Sequence, residues 1–237
     1  MKKRWIKRLF LVFVVLLGTI YVLNFKVTIR QGIDYKVHEI EMPLYLKVLD
    51  FFDRHYNYKW TVERIIGDSR IEREKVFKIF EWTYKTIKKN PEGYPIMDDH
   101  VWHIIVRGYG VGDQFSDVFT ALCNYAGIDA FFDSPYSEDR SSRITLSFVK
   151  IGEVWTIFDP YRGVYFKNRE GSLASIEEII KGNWLAEGID KDKNKEIDIN
   201  YAIYFKNLSP IKEMELQRSN IQSPINRFKY QIKKWLR

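Results

Sequence analysis

Four features of this 237-residue chain have side chains that could do chemistry. His100 and His103 stand three apart in Met97-Asp-Asp-His-Val-Trp-His103, with Asp98 and Asp99 beside them. Two imidazoles at that spacing on a helix can share a metal ion, and one alone is the usual base near neutral pH. No histidine follows His103, so a third imidazole ligand is missing downstream. The plainer reading is a loop entering the core, with Trp102 packed and each imidazole hydrogen-bonded. Asp159 closes an apolar run just before Pro160 and could orient a base or simply cap a strand. Cys123 is the only thiol. It falls mid-helix, away from the helix N-terminus that lowers a thiol pKa, and reads as a small core residue. Asp190-Lys-Asp-Lys-Asn-Lys-Glu-Ile-Asp198 begins like a calcium loop. It then puts Lys195 at the turn glycine and Tyr201 at the bidentate glutamate, so it reads as a solvated loop with no metal.

The elements that must position these residues centre on Arg107-Gly-Tyr-Gly-Val-Gly-Asp-Gln-Phe-Ser-Asp-Val-Phe-Thr-Ala-Leu-Cys-Asn-Tyr-Ala-Gly-Ile-Asp-Ala130. Gly108, Gly110 and Gly112 make a turn, and Asp113 suits an N-cap or first-turn acid. Phe115, Val118, Phe119 and Leu122 recur at helical spacing, and Gly127 stops the helix. Ile144-Thr-Leu-Ser-Phe-Val-Lys-Ile-Gly-Glu-Val-Trp-Thr-Ile-Phe-Asp-Pro160 then reads as two strands turning at Gly152-Glu153.

Together these segments resemble the nucleophile and base segments of the transglutaminase-like, papain-like superfamily. Members read roughly Gly-Tyr-Gly-Trp-Cys-Asp-Gln, then a helix, then Gly-Ile-Pro-Ala-Arg. Further on, a catalytic His leads through a strand and a Gly turn to a Trp and Asp-Pro. The resemblance implies an α+β fold, with a helical N-terminal part packed on an antiparallel sheet. It places the nucleophile position at Gly112, the base position at Ile144 and the third triad member at Asp159. Glycine has no nucleophile, and neither Ile144 nor its neighbours Arg143 and Thr145 is an imidazole. On this reading the family's chemistry is lost, and a vestigial cleft remains. Its candidate lining is His100, Trp102, His103, Tyr109, Asp113, Gln114, Tyr136 and Tyr161.

The charge pattern restricts partners. The net charge is +7, but eleven of the 38 cations lie at the two ends. They are Lys2, Lys3, Arg4, Lys7 and Arg8, and Arg218, Arg227, Lys229, Lys233, Lys234 and Arg237. The remaining 27 face 31 acids, so the body lacks the basic face of a nucleic-acid binder. Basic ends suit a membrane surface better. With 46% hydrophobic and 16% aromatic residues, the chain can fill a core.

Residues 1–26 read as a basic cytoplasmic segment and a signal anchor, because no alanine follows the apolar run before Ala121 to offer a cleavage site. The main domain then lies outside the cytoplasm. Residues 27–42 read as a connector and 43–210 as the transglutaminase-like domain. One helix is expected from Pro43 and another over Tyr58 to Ile66. Val76, Ile79, Phe80 and Thr83 form the face of the next. Ser175 and Glu178 make a capping box for a short helix ended by Gly182. Residues 211–237 form a basic amphipathic tail with Ile225, Phe228, Ile232, Trp235 and Leu236 on one side, suited to a membrane interface.

Three functions are compatible with this pattern. The first is a membrane-anchored, catalytically inactive domain that binds a peptide, glycan or protein partner. The second is an amide or ester hydrolase or acyl transferase that uses His100 or His103. The third is a structural scaffold of an envelope or polysaccharide assembly. None of them requires a cofactor.

Overall fold

A computed structural model describes residues 2–98, 100–190, 199–208, 211 and 224–235. Asp99, most of the calcium-like stretch and much of the tail lie outside those residues.

The first helix, α1 (Lys2–Leu23), buries nothing against the rest of the chain. Its apolar part, Trp5–Leu23, has 19 residues and a mean hydropathy of 2.2. At about 1.5 Å per residue it is long enough to cross a bilayer.

The residues read as a connector instead form a β-hairpin, β1 (Lys26–Ile33) and β2 (Lys36–Pro43), paired along its whole length. Asp34 and Tyr35 turn it with positive φ. Both faces of β2 are largely exposed, so its sequence carries no burial alternation to announce a strand. From Pro43 a single helix, α2 (Leu44–Ile66), runs unbroken through the place where two helices were expected. No glycine or proline interrupts it before Gly67.

Next come α3 (Glu72–Thr86), β3 (Lys88–Lys89) and β4 (Met97–Asp98). Residues 101–107, expected as loop, form a short helix, α4 (Val101–Arg107). Then follow β5 (Tyr109–Gly110) and the central helix α5 (Gly112–Tyr125). The second half holds β6 (Ala130–Asp133), β7 (Leu146–Ile151), β8 (Val154–Asp159), β9 (Val164–Lys167), α6 (Ile176–Ile180), β10 (Leu185–Gly188) and α7 (Ala202–Phe205). The last described helix is α8 (Pro224–Trp235).

Strands β10-β9-β8-β7-β6 form one antiparallel sheet with a core on each face. On one face Phe80, Phe119 and Leu122 of α3 and α5 pack against Val149 and Phe158. On the other, Phe131, Leu146, Ile157 and Phe166 meet Ile176, Ile179, Tyr201 and Phe205. This is the α+β arrangement of helices packed on an antiparallel sheet. α6 is closed by a capping box, with Ser175 Oγ accepting from Glu178 N–H at 3.1 Å and Glu178 Oε2 accepting from Ser175 N–H at 2.8 Å.

Candidate functional site

The loop that opens α5 is clamped on several sides. Gly108 takes φ +75°, which turns the chain out of α4 in a conformation that favours glycine. A Cβ at Gly110 would meet Gln114 Oε1 at 2.6 Å, so no side chain fits there. Gln114 is the clamp. Its Oε1 accepts from Val111 N–H and from Arg107 Nη2, both at 3.2 Å, and its Nε2 donates to the Met97 carbonyl. Expected in the cleft lining, Gln114 is instead buried and occupied by the loop. Outside it, β3 pairs in parallel with β5, with Lys88 N–H donating to Gly108 O at 2.8 Å and Asn90 N–H to Gly110 O at 2.9 Å. Asp113 is exposed and accepts from Gln114 N–H at 2.9 Å, as a first-turn acid should.

Gly112 itself is open. A Cβ built there would touch only Tyr161 Cγ, at an ordinary 3.8 Å. Tyr161 stands edge-on to Phe115 at 5.1 Å, with Lys89 Nζ 4.8 Å from its ring centroid. Phe115 and Tyr161 form one wall of a cleft of about 580 Å³. Tyr84, Ile87, Ile189 and three lysines, Lys85, Lys88 and Lys89, complete it, with Asp190 as the acid. Lys85 is already bound to Glu81.

Asp159 lies in different surroundings. It is wholly buried, and its register partner on β9 is Val164, a member of the core on the sheet face away from α5. Antiparallel partners share a face, so the Asp159 carboxylate belongs to that side too. Oδ1 accepts from Arg162 N–H at 3.1 Å, while Oδ2 accepts from Arg162 Nη1 at 3.0 Å and from Tyr201 O–H at 2.8 Å. Burial pushes its pKa above the usual carboxylate range, and the Arg162 charge and these hydrogen bonds pull the other way. Ile144 is buried in the same core. Phe115 and Tyr161 therefore line the cleft, with Gly112 next to Tyr161, while Ile144 and Asp159 face the opposite core.

The remaining candidates lie apart from that cleft. His100 and His103 are both exposed, with ring centroids 5.8 Å apart at the start of α4. Among the described residues no three His, Cys, Asp or Glu side chains gather into a metal-binding group. Trp102 packs edge-on to Tyr58 at 6.1 Å, and its N–H donates to Tyr58 Oη at 2.7 Å. Tyr109 packs edge-on to Tyr94 at 5.7 Å. Tyr136 sits on the 134–143 loop, its carbonyl accepting from Asn207 Nδ2 at 3.1 Å. Cys123 is fully buried, and burial pushes its thiol pKa up.

Residues 59–163 match the model of the Transglutaminase-like superfamily. Over that segment the chain carries a transglutaminase-like domain. No curated protein matches it. Among solved structures, a protein of Cytophaga hutchinsonii described as a candidate cysteine protease is 17% identical, with 60% of this chain and 51% of that one covered at a TM-score of 0.40. A candidate protease of Parabacteroides distasonis is 16% identical, covering 52% of this chain and 28% of that one at a TM-score of 0.38. A protein described as a TGase is 12% identical, covering 56% and 43% at a TM-score of 0.36. The chain thus spans between 28% and 51% of the length of these proteins.

Within the transglutaminase-like domain, two partners of Asp159 escape a sequence reading. Arg162 was signalled only by its spacing of three from Asp159. Tyr201 lies 42 residues on and carries no local signal at all.

Proposed function

We propose that this protein is a membrane-tethered transglutaminase-like domain that binds an acidic ligand in the cleft beside Gly112 and does not turn it over. The observation that carries this reading is the division of the site. The open position at the start of α5 is a glycine, and the carboxylate at Asp159 is buried and held by a guanidinium and a phenol. A guanidinium stays protonated and cannot act as a base near neutral pH. The nucleophile and base positions of the family, Gly112 and Ile144, thus carry no group able to attack or to take a proton.

The cleft favours acidic chemistry because, with Lys85 paired to Glu81, Lys88 and Lys89 still outnumber Asp190 and flank an aromatic wall. A carboxylate-bearing peptide, glycan or protein segment fits that pattern, with the Tyr161 ring as a platform and Lys89 above it. α1 supplies the tether. Its leading lysines and arginines favour the cytoplasmic side, which places the domain on the other.

The test uses the full chain in lipid nanodiscs with acidic peptide, peptidoglycan and polysaccharide fragments. Melting temperature and product mass are followed together. A ligand at a hundred times its Kd adds about 2.7 kcal/mol of stability, a readily measured rise. A rise with no new mass, lost in Lys89→Ala, is the expected result. A new product mass overturns the proposal. If that product vanished in the His100→Ala, His103→Ala double variant, a hydrolase or acyl transferase built on those imidazoles would replace it.

A further inference from the structure

The longest helix of the folded body leaves a regular apolar stripe uncovered. Tyr45, Leu49, Phe52, Tyr56 and Trp60 follow one another at steps of four, three, four and four along α2, which puts them on one side of the helix. Their exposures run from 38% to 61%, while the opposite side of the same helix buries Tyr58 and Val62 in the core. Three of the five are Tyr or Trp, side chains with an apolar body and a polar tip that suit the boundary between hydrocarbon and water.

One further contact indicates what covers this stripe. The hairpin returns the chain to its starting point: Lys26 pairs with Pro43, and Leu44 N–H donates to Phe25 O at 2.8 Å. α2 therefore begins where the apolar run of α1 ends. α8 packs on the other side of α2, through Phe51 and Phe228, whose ring centroids are 6.0 Å apart, and leaves the stripe uncovered. The uncovered apolar surface thus starts at the spanning helix.

We propose that the α2 stripe lies on the surface of the bilayer that α1 crosses. The domain is then held to the membrane along a helix as well as by its tether. This rests on the anchor reading of α1 and is independent of what the cleft binds. Trp60 is the deciding residue. It lies about 24 Å along α2 from Leu44, so it reaches the headgroups only if the helix lies down.

The experiment uses the full chain in vesicles of phosphatidylglycerol and phosphatidylcholine. A Trp60→Cys variant carries an environment-sensitive thiol dye, and the native Cys123 is buried away from it. Leu49→Cys is a second reporter. Glu177→Cys, exposed on α6 beyond the sheet, is the reference. The expected result is a blue shift and a loss of iodide quenching at position 60 but not at 177. A dye at 60 that stays open to iodide, in protein that resists carbonate extraction, overturns the inference and leaves the anchor standing. Protein released by carbonate removes the anchor reading and this inference together. Shielding at 60 that appears equally in detergent and grows with protein concentration assigns the stripe to a second copy of the chain and overturns the proposal.

Discussion

Gly112 and Asp159 both lie in the transglutaminase-like segment, yet their surroundings are opposites. At Gly112 a side chain would find only an aromatic face at van der Waals distance and a cleft beyond it. At Asp159 the carboxylate is fully buried and accepts three hydrogen bonds, from Arg162 N–H, Arg162 Nη1 and Tyr201 O–H. One position can gain atoms cheaply, and the other cannot lose any. The comparison teaches that one signature can separate into a part that serves folding and a part that stays open to solution. A buried carboxylate needs a cation, and Arg162 supplies it without an imidazole.

Breaking the comparison at its closed end has the largest effect. Asp159→Ala leaves the Arg162 guanidinium and the Tyr201 hydroxyl without their partner, and removing one member of a buried pair costs about 3–5 kcal/mol. Urea denaturation measures it. Tyr201→Phe removes one hydrogen bond to the carboxylate and should cost about 1.5–3 kcal/mol by the same measurement. Ile144→His, which puts an imidazole where the resemblance would place the base, buries a polar ring in an apolar core. It should cost about 1–3 kcal/mol and yield no activity.

The pH dependence sharpens the same end. The folded pKa of Asp159 is raised above its unfolded value of about 3.9. Its contribution to stability is therefore whole below that value and is lost as pH rises through the folded pKa. Urea midpoints of the wild type minus those of Asp159→Asn should fall with rising pH across that window. A difference that rises with pH would show the ion pair outweighing burial.

The smallest effect belongs to the open end. Gly112→Cys should change stability by no more than about 0.5 kcal/mol, because its Cβ meets no clash. The new thiol should alkylate with iodoacetamide in the native state, where Cys123 does not, and mass spectrometry should find no acyl-enzyme. Accumulation of an acyl-enzyme would show that a base is present after all.

How much of this was legible in the chain follows from how local each cause is. The α5 helix could be read because Phe115, Val118, Phe119 and Leu122 repeat at its period and Gly127 stops it with φ +80°. The turn of β7 into β8 could be read from Gly152, and the capping box of α6 from Ser175 and Glu178 alone. The β1–β2 hairpin could not, because β2 is exposed on both sides and the alternation of β1 runs between exposed and half-buried positions, not into a core. α2 was divided because its stripe of exposed aromatics obscures which side faces the core. The start of α5 at Gly112 was legible, since the glycine loop and the helix that follows are contiguous. The seclusion of Asp159 was not. It depends on Tyr201, brought in by α7 against the far face of the sheet, and on the parity of a single strand residue. Gln114 looked like a cleft residue because it is polar and near the helix start. Its clamp role depends on Met97, 17 residues away.

The parallel pairing of β3 with β5 has a kinetic consequence. Lys88 and Lys89 form part of the cleft wall, and the strand that carries them is bonded directly to the loop that starts α5. An arriving ligand meets walls that are already joined. Little ordering remains to be done on contact, so association should be limited by diffusional encounter and charge attraction, and slow in high salt. Differences in lifetime between ligands would then arise from how well each one fits.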